Sequence, residues 1–145
     1  MKIDDMSEGR AMDALVAEKI MKLPGIHQVG HYLFYTPTET KDMMTSVPSY
    51  STDLNDAWKI VRTMQQIPLP DGDGFAFELQ TFGDLCVAVF KHPLADSPDD
   101  EIFEYWHEGR AYNAAKAISI AALKAVGVTS ILDAHANYNM RYAIP

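Results

Sequence analysis

Residues 50–58 carry the clearest structural signal of this sequence and read Tyr50-Ser51-Thr52-Asp53-Leu54-Asn55-Asp56-Ala57-Trp58. It has the form of a helix start, because the hydroxyl of Ser51 or Thr52 can accept hydrogen bonds from the free N–H groups of a first helical turn. Asp53 and Asp56 add negative charge where the helix dipole is positive. We therefore predict a helix from about Ser51 to about Gln66, where two nearby prolines prevent its continuation.

The apolar residues of this segment recur at helical spacing, which predicts one buried face. They are Leu54, Ala57, Trp58 and Val61. Trp58 is expected to be the largest buried side chain of that helix. A first helix is predicted to run to about Lys22, and an alanine-rich helix is predicted from Ala111 to Val126 with Gly127 as its C-terminal cap.

The segments between these helices carry strand patterns. Residues 26–36 are aromatic and β-branched, which predicts one extended segment, and the runs 75–80 and 85–90 predict a β-hairpin. The second run is apolar throughout, so it is expected to be a central strand buried on both faces. Proline and acidic residues predict another helix from about Pro98 toward Trp106. The order of elements predicts an α+β fold, an α-β-α sandwich whose antiparallel sheet is covered by helices on both faces.

The length of 145 residues corresponds to a single domain, and the chain has no internal repeat. No apolar run approaches the roughly 20 residues that span a bilayer, and the N-terminus lacks the apolar core of a signal peptide. We therefore expect no membrane partner and a cytoplasmic location. The single cysteine, Cys86, lies in a strand-like run and is expected to pack as a small apolar group.

The formal net charge of −8 argues against binding to duplex nucleic acid. A phosphate backbone is repelled by a strongly acidic protein, and the 12 basic residues are scattered without a run. A local pocket for one small anion stays compatible with this charge, because a few arginines can hold a phosphate inside an acidic protein.

Three collinear segments resemble a known family. The nonapeptide at residues 50–58 is similar to the signature of the phage ABA sandwich domain, a family of small proteins encoded by bacteriophages and prophages. Residues 9–21 resemble the opening helix of that family, and residues 117–127 resemble its closing alanine-rich helix. The resemblance implies a family-like core at about 9–127, a C-terminal extension at 128–145, and a place in the cytosol of a bacterial host. It implies a shape and supplies no catalytic mechanism.

Patterns of known catalytic and metal sites are missing or incomplete. His27 and His31 are four residues apart, but they lie in an extended segment without the glutamate of a zinc-binding helix. Residues 71–74 resemble a calcium loop that lacks its final carboxylate, and the acidic residues at 96–101 fit a helix start. No phosphate-binding glycine loop or nucleophile elbow is present. We predict no metal, no cofactor and no catalytic residues, so an enzyme is disfavoured.

Residues 103–113 contain the side chains best suited to a ligand. Aromatic rings, a guanidinium and amides within a short span can stack a base and hold a phosphate or ribose. With the C-terminal tail they give the candidate ligand-binding residues Tyr105, Trp106, Arg110, Tyr112, Asn113, Tyr138 and Arg141. Stacking is assigned to Trp106 and Tyr112, charge pairing to Arg110 and polar contacts to Asn113. The alternative is that the aromatic residues belong to the core or to an interface.

These observations lead to a hypothesis for function. The chain is predicted to be a non-catalytic phage protein that binds a small molecule, in particular a cyclic nucleotide immune signal of the host, and thereby acts as a sponge in an anti-defence role. A homo-oligomer is expected, in which the aromatic residues Tyr32, Phe34 and Tyr35 could meet the site across a subunit boundary. One alternative is a protein-interaction module that inhibits a host factor, and another is an enzyme that degrades a nucleotide.

Overall fold

The computed structural model describes residues 1–37, 44–69, 74–93 and 106–130. In these residues there are three α-helices and two three-stranded antiparallel sheets. The helices are α1 (Arg10–Lys19), α2 (Leu54–Met64) and α3 (Ala114–Ala125), and a 3-10 turn covers Ile3–Asp5. The strands are β1 (His27–Val29), β2 (Tyr32–Tyr35), β3 (Thr45–Ser46), β4 (Ala76–Phe82), β5 (Leu85–Lys91) and β6 (Trp106–Ala111).

The first sheet has the order β1-β2-β3 and the second has the order β4-β5-β6. The predicted hairpin is confirmed, because β4 and β5 pair in register from Ala76 and Lys91 to Phe82 and Leu85. The prediction of a central strand is confirmed as well, since β5 pairs with β4 on one side and β6 on the other. Gly83 and Asp84 form the turn between β4 and β5, and Gly83 has the positive φ of 63° that a tight hairpin turn requires.

The second sheet packs against α3, which contacts both β5 and β6. The contact is close because Gly109 faces the helix without a side chain. A Cβ placed on Gly109 would meet the backbone oxygen of Ala117 and would lie 2.7 Å from the nitrogen of Ala121. The small residues of α3 and the absence of a side chain at Gly109 therefore allow the helix to pack closely on the sheet.

The other two helices contact α3, and the described residues form one mixed α+β core. The antiparallel α+β class is confirmed. The arrangement of helices on both faces of one sheet is not confirmed, because the strands divide between two sheets and α1 and α2 both contact α3. No helix in the described residues is long and apolar enough to cross a bilayer.

A buried polar network ties α1 to the segment before α2, and we call it the Ser51 hub (Gly9, Arg10, Asp13, Ser51 and Asn113). The Asp13 carboxylate accepts hydrogen bonds from the Ser51 N–H and hydroxyl, both at 2.8 Å, and from the Arg10 guanidinium. The Ser51 hydroxyl oxygen accepts from the Gly9 N–H at 2.8 Å. Asp13 and Ser51 are 1% and 0% exposed. Since buried polar groups are costly unless they are paired, this network fixes both segments in place.

The start of α3 completes the hub. The Asn113 Oδ1 accepts from the Ala115 N–H at 2.9 Å and caps the helix, while its Nδ2 donates to the Ser51 carbonyl at 3.0 Å. Ser119 donates to the Ala115 carbonyl at 2.9 Å and lies 3.3 Å from the Tyr50 carbonyl. Burial raises the pKa of the Tyr50 phenol, which packs in the core. All three helices are thus joined at residues 50 and 51.

The start and the buried face of α2 differ from the prediction. The helix begins at Leu54, after Asp53 accepts a hydrogen bond from the Asn55 N–H, because the Ser51 hydroxyl is already engaged in the hub. Its buried side chains are Ala57, Ile60, Val61 and Met64. Trp58 is not the largest buried group. It is 38% exposed and contacts the ring of Phe77 edge-on at 5.8 Å.

Three other boundaries differ. The segment predicted as one strand at residues 26–36 contains β1, a turn and β2. Residues 98–105 of the helix predicted from Pro98 toward Trp106 lie outside the described ranges. Trp106, expected near the end of that helix, instead begins β6, which continues to Ala111 because these residues pair along β5 over six positions. The alanine-rich helix consequently begins at Ala114. Its end is as predicted: Gly127 has a φ of 91°, and the N–H groups of residues 127 and 128 bond to the carbonyls of residues 124 and 123.

Candidate functional site

The side chains of β6 alternate between the two faces of the second sheet. Gly109 faces α3, so its neighbours Glu108 and Arg110 lie on the opposite, outer face. Trp106 shares this face and pairs with Lys91 of β5. Side chains that lie directly opposite each other on paired strands share a face of the sheet. The outer face therefore brings together residues from all three strands of the second sheet.

Five of these side chains form a connected group that we call the charged face (Glu78, Lys91, Trp106, Glu108 and Arg110). The Lys91 Nζ lies 2.8 Å from the Glu78 Oε1 and 5.1 Å from the centroid of the Trp106 ring. The Trp106 Nε1 donates to the Glu108 Oε1 at 3.0 Å, and the Arg110 Nη2 donates to the Glu108 Oε2 at 3.2 Å. Each charge of the group is thus paired with an opposite charge beside one indole ring.

The electrostatic balance of the charged face differs from that of the whole protein. Two carboxylates and two cations lie there, whereas the chain carries a net charge of −8. Val87 and Val89 lie between them on β5 and are 7% and 5% exposed, which provides an apolar floor. A small anion that would be repelled elsewhere meets no excess of negative charge here.

The structure brings together two of the residues predicted from sequence. Trp106 and Arg110 lie on the charged face and share the carboxylate of Glu108. Tyr112 follows β6 directly and is 80% exposed, so its ring is accessible at the end of the strand. Asn113 differs, because both functional atoms of its amide are engaged in the Ser51 hub. Tyr105, Tyr138 and Arg141 lie outside the described residues.

Three residues of the charged face were not predicted from the sequence: Lys91, Glu78 and Glu108. Lys91 is the least exposed of the charged side chains on this face, at 15%. Its position opposite Trp106 depends on the register between β5 and β6, which the sequence did not reveal because residues 106–111 were not predicted as a strand. The sequence does contain one indication of a strand, which is an alternating pattern. Trp106, Glu108 and Arg110 alternate with His107, Gly109 and Ala111.

Away from the charged face, a concavity of about 640 Å³ lies near the C-terminal ends of the three helices. Its lining combines two lysines, one glutamate and three apolar side chains: Glu18, Lys19, Ile20, Lys22, Ile67 and Val126. It has no aromatic side chain among these residues, so it offers no surface for stacking a base. Of the predicted ligand-binding residues, the four within the described ranges do not line it: Trp106, Arg110, Tyr112 and Asn113.

No cluster of three or more His, Cys, Asp or Glu residues that could hold a metal ion occurs in the described part of the chain. His27 is close to Gly25 and Met44, with its Nδ1 2.8 Å from the Gly25 carbonyl and its Nε2 3.1 Å from the Met44 sulfur. Residues 71–73 of the calcium-like sequence and the acidic residues at 96–101 lie outside the described ranges.

Together, the fold and the charged face define a small α+β protein with a surface site of paired charges beside an indole ring. The chain is similar in structure to a phage protein from Bacillus cereus ATCC 14579, determined by crystallography at 2.0 Å. The TM-score is 0.54 at 16% sequence identity, and the match covers 83% of this chain and 94% of that one. At this identity the likeness concerns the fold alone. No family model and no curated protein matches the sequence.

Proposed function

We propose that this chain is a phage protein of the ABA sandwich type that binds a small ligand without turning it over, and that the ligand is a nucleotide. The phage assignment is supported by the fold shared with the Bacillus cereus phage protein and by the three sequence segments that resemble the family. The proposal includes a single domain that acts in the cytosol of a bacterial host, with a cyclic nucleotide immune signal as the first ligand to test.

One observation carries the ligand class: Trp106 and Arg110 lie on the same face of β6, next to Lys91. An indole ring stacks on the flat face of a base, and a guanidinium binds phosphate oxygens through two parallel hydrogen bonds. Tyr112 adds an exposed ring at the end of the same strand. The protein would act by mass action, because tight binding lowers the concentration of free messenger and needs no turnover.

The first experiment incubates the purified protein with a panel of linear and cyclic nucleotides and identifies any retained molecule by mass spectrometry after denaturation. Recovery of one intact nucleotide is expected. Loss of a nucleotide under catalytic amounts of protein would make the chain an enzyme. Neither retention nor degradation across the panel would remove the nucleotide from the proposal.

The site is tested with Arg110→Ala, which we expect to weaken binding of the retained nucleotide by about tenfold, since a hydrogen bond to a charged group contributes about that factor. Arg62→Ala is the matched control, because Arg62 is an exposed arginine near the end of α2. Equal affinities of Arg110→Ala and the unmodified protein would place the ligand elsewhere on the protein.

A second candidate function, a protein-interaction module, is favoured by the outer face of the first sheet. Tyr32, Val29 and Met44 are 69%, 53% and 58% exposed there, and the ring of Phe34 lies 6.3 Å from that of Tyr32. Exposed apolar side chains that cluster often mark a contact with another molecule. A stoichiometric host protein that is captured by the unmodified chain and lost with Tyr32→Ser would support this function. The same capture by both chains would argue against it.

A further inference from the structure

The side chain of Glu108 accepts hydrogen bonds from Trp106 and Arg110, two residues that the proposed function assigns to a ligand. Its Oε1 accepts from the Trp106 indole N–H at 3.0 Å, and its Oε2 accepts from the Arg110 guanidinium at 3.2 Å. A carboxylate and a phosphate have similar requirements, since both accept two parallel hydrogen bonds through two oxygens. The glutamate therefore lies where the anionic group of a nucleotide would make the same contacts.

These contacts can be exchanged. Arg110 is 63% exposed and Glu108 is 31% exposed, and ion pairs that solvent reaches contribute little to stability. Glu108 is tied to α3 by its backbone, whose carbonyl accepts from the Lys124 Nζ at 2.9 Å. The side chain can leave its place while the strand stays fixed.

We infer that Glu108 is an internal substitute for the phosphate of the ligand, and that binding exchanges its carboxylate for the ligand's phosphate at Trp106 and Arg110. The inference rests on the proposed function and adds a selectivity residue to it. Glu108 lowers the affinity for every anionic ligand, so only a molecule that also gains contacts through its base displaces it. A nucleotide is then favoured over free inorganic phosphate, which brings the charge without the ring.

The test compares the unmodified protein with Glu108→Gln, which keeps the shape of the side chain and removes its charge. Binding of adenosine 5′-monophosphate, 3′,5′-cyclic AMP and uncharged adenosine is measured by calorimetry. We expect Glu108→Gln to bind the two phosphorylated probes about fivefold more tightly, because a competing exposed ion pair contributes up to about that factor. Adenosine should be unaffected, and the gain should vanish in the double variant with Arg110→Ala.

Glu78→Gln is the matched control, because it removes the other carboxylate of the charged face, which bonds to Lys91, whereas Glu108 bonds to Trp106 and Arg110. A smaller gain than for Glu108→Gln is expected. Equal gains for both variants would reduce the effect to general repulsion and overturn the inference, as would unchanged or weaker binding of the phosphorylated probes by Glu108→Gln.

The failure of the inference can be distinguished from that of the proposed function. If the unmodified protein retains a nucleotide and Glu108→Gln does not bind it more tightly, the inference is wrong and the function stands. If the unmodified protein retains none but Glu108→Gln binds adenosine 5′-monophosphate, the inference stands without the function. If neither protein binds any probe, both are wrong. Circular dichroism of each variant checks that it is folded.

Discussion

The Ser51 hub and the charged face are two polar clusters that differ in their exposure to solvent and in the groups to which they bond. In the hub, the Asp13 and Ser51 side chains are buried, and most of their partners are backbone groups of other segments. On the charged face, the hydrogen bonds run between side chains, and the Arg110 guanidinium is 63% exposed. The hub therefore fixes the positions of helices, whereas the charged face can rearrange without moving a strand.

The two clusters also differ in how visible they are in the sequence: the hub coincides with a distinctive sequence segment, and the candidate site does not. The most distinctive stretch of sequence, at residues 50–58, supplies the hub, and Arg10 and Asp13 of the opening helix meet it there. Two of the segments that resemble the ABA sandwich family thus contact each other through buried hydrogen bonds. The polar residues Arg10, Asp13 and Ser51 in these segments are therefore explained by their structural role. The charged face has no comparable signature in the sequence. Its hydrogen bonds, which join partly exposed side chains, lie beside the Trp106 ring.

The largest effect is expected for Asp13→Ala, which breaks the hub. The substitution leaves the N–H and hydroxyl of Ser51 buried without their acceptor and should lower the free energy of unfolding by about 3 kcal/mol. Urea denaturation followed by circular dichroism measures it. Glu108→Ala is the control on the charged face and should change the same quantity by less than about 1 kcal/mol. Similar losses for both variants would abolish the distinction between the clusters.

A medium effect is expected for Asn113→Ala, which tests whether this residue belongs to the hub or to the ligand. The variant loses the cap of α3 and the bond to the Ser51 carbonyl, so the free energy of unfolding should fall by about 1 to 2 kcal/mol. Asp53→Ala, which removes the cap of α2 alone, should cost less. Nucleotide affinity should be unchanged in Asn113→Ala. A tenfold loss of affinity at full stability would return Asn113 to the binding site.

The smallest effect is a pH dependence near the hub. A backbone hydrogen bond and the ion pair with Lys116 at 3.2 Å lower the pKa of Glu8 from its ordinary value of 4.5. A lowered pKa in the folded state stabilises the protein above the ordinary value, and this contribution is lost as the pH falls through the folded-state pKa. Glu8→Gln should therefore lower the thermal midpoint slightly at neutral pH.

The difference in midpoint between Glu8→Gln and the unmodified protein should shrink as the pH falls through the folded-state pKa of Glu8, and it should vanish once the carboxyl is protonated in both states. Lys116→Ala keeps the backbone hydrogen bond, so it should reproduce only part of the loss at neutral pH. A difference that stays constant across the whole pH range would show that the substitution acts by another route. Thermal unfolding at four or five pH values is sufficient.

The helices and the hairpin could be predicted because each has a local pattern. The face of α1 with Met12, Leu15 and Val16 is buried as its spacing requires, and Gly127 ends α3 as expected. The face of α2 could not be chosen from the sequence, because two overlapping stripes both have helical spacing. The stripe that contains Ile60 and Met64 is buried, and the one that contains Leu54 and Trp58 is partly exposed.

The strand β6 and the composition of the site depend on contacts that are distant in sequence. Residues 106–111 include glutamate, arginine and alanine, which are compatible with a helix, so only pairing with β5 makes them a strand. Trp106 and Arg110 were identified by their chemistry. The roles of Glu108 and Lys91 follow from register and side-chain contacts, which residue types do not specify.

The close approach at Gly109 suggests a fingerprint for finding distant relatives. Any side chain there would collide with backbone atoms of Ala117 and Ala121, so a protein that keeps this distance between strand and helix must keep glycine at that position. Combined with Asp13 and Ser51, it gives a spaced pattern of few residues. Such a pattern can be searched where overall identity has fallen to the 16% seen with the Bacillus cereus protein. It can also anchor an alignment that shows which residues stand at the positions of the charged face in other proteins.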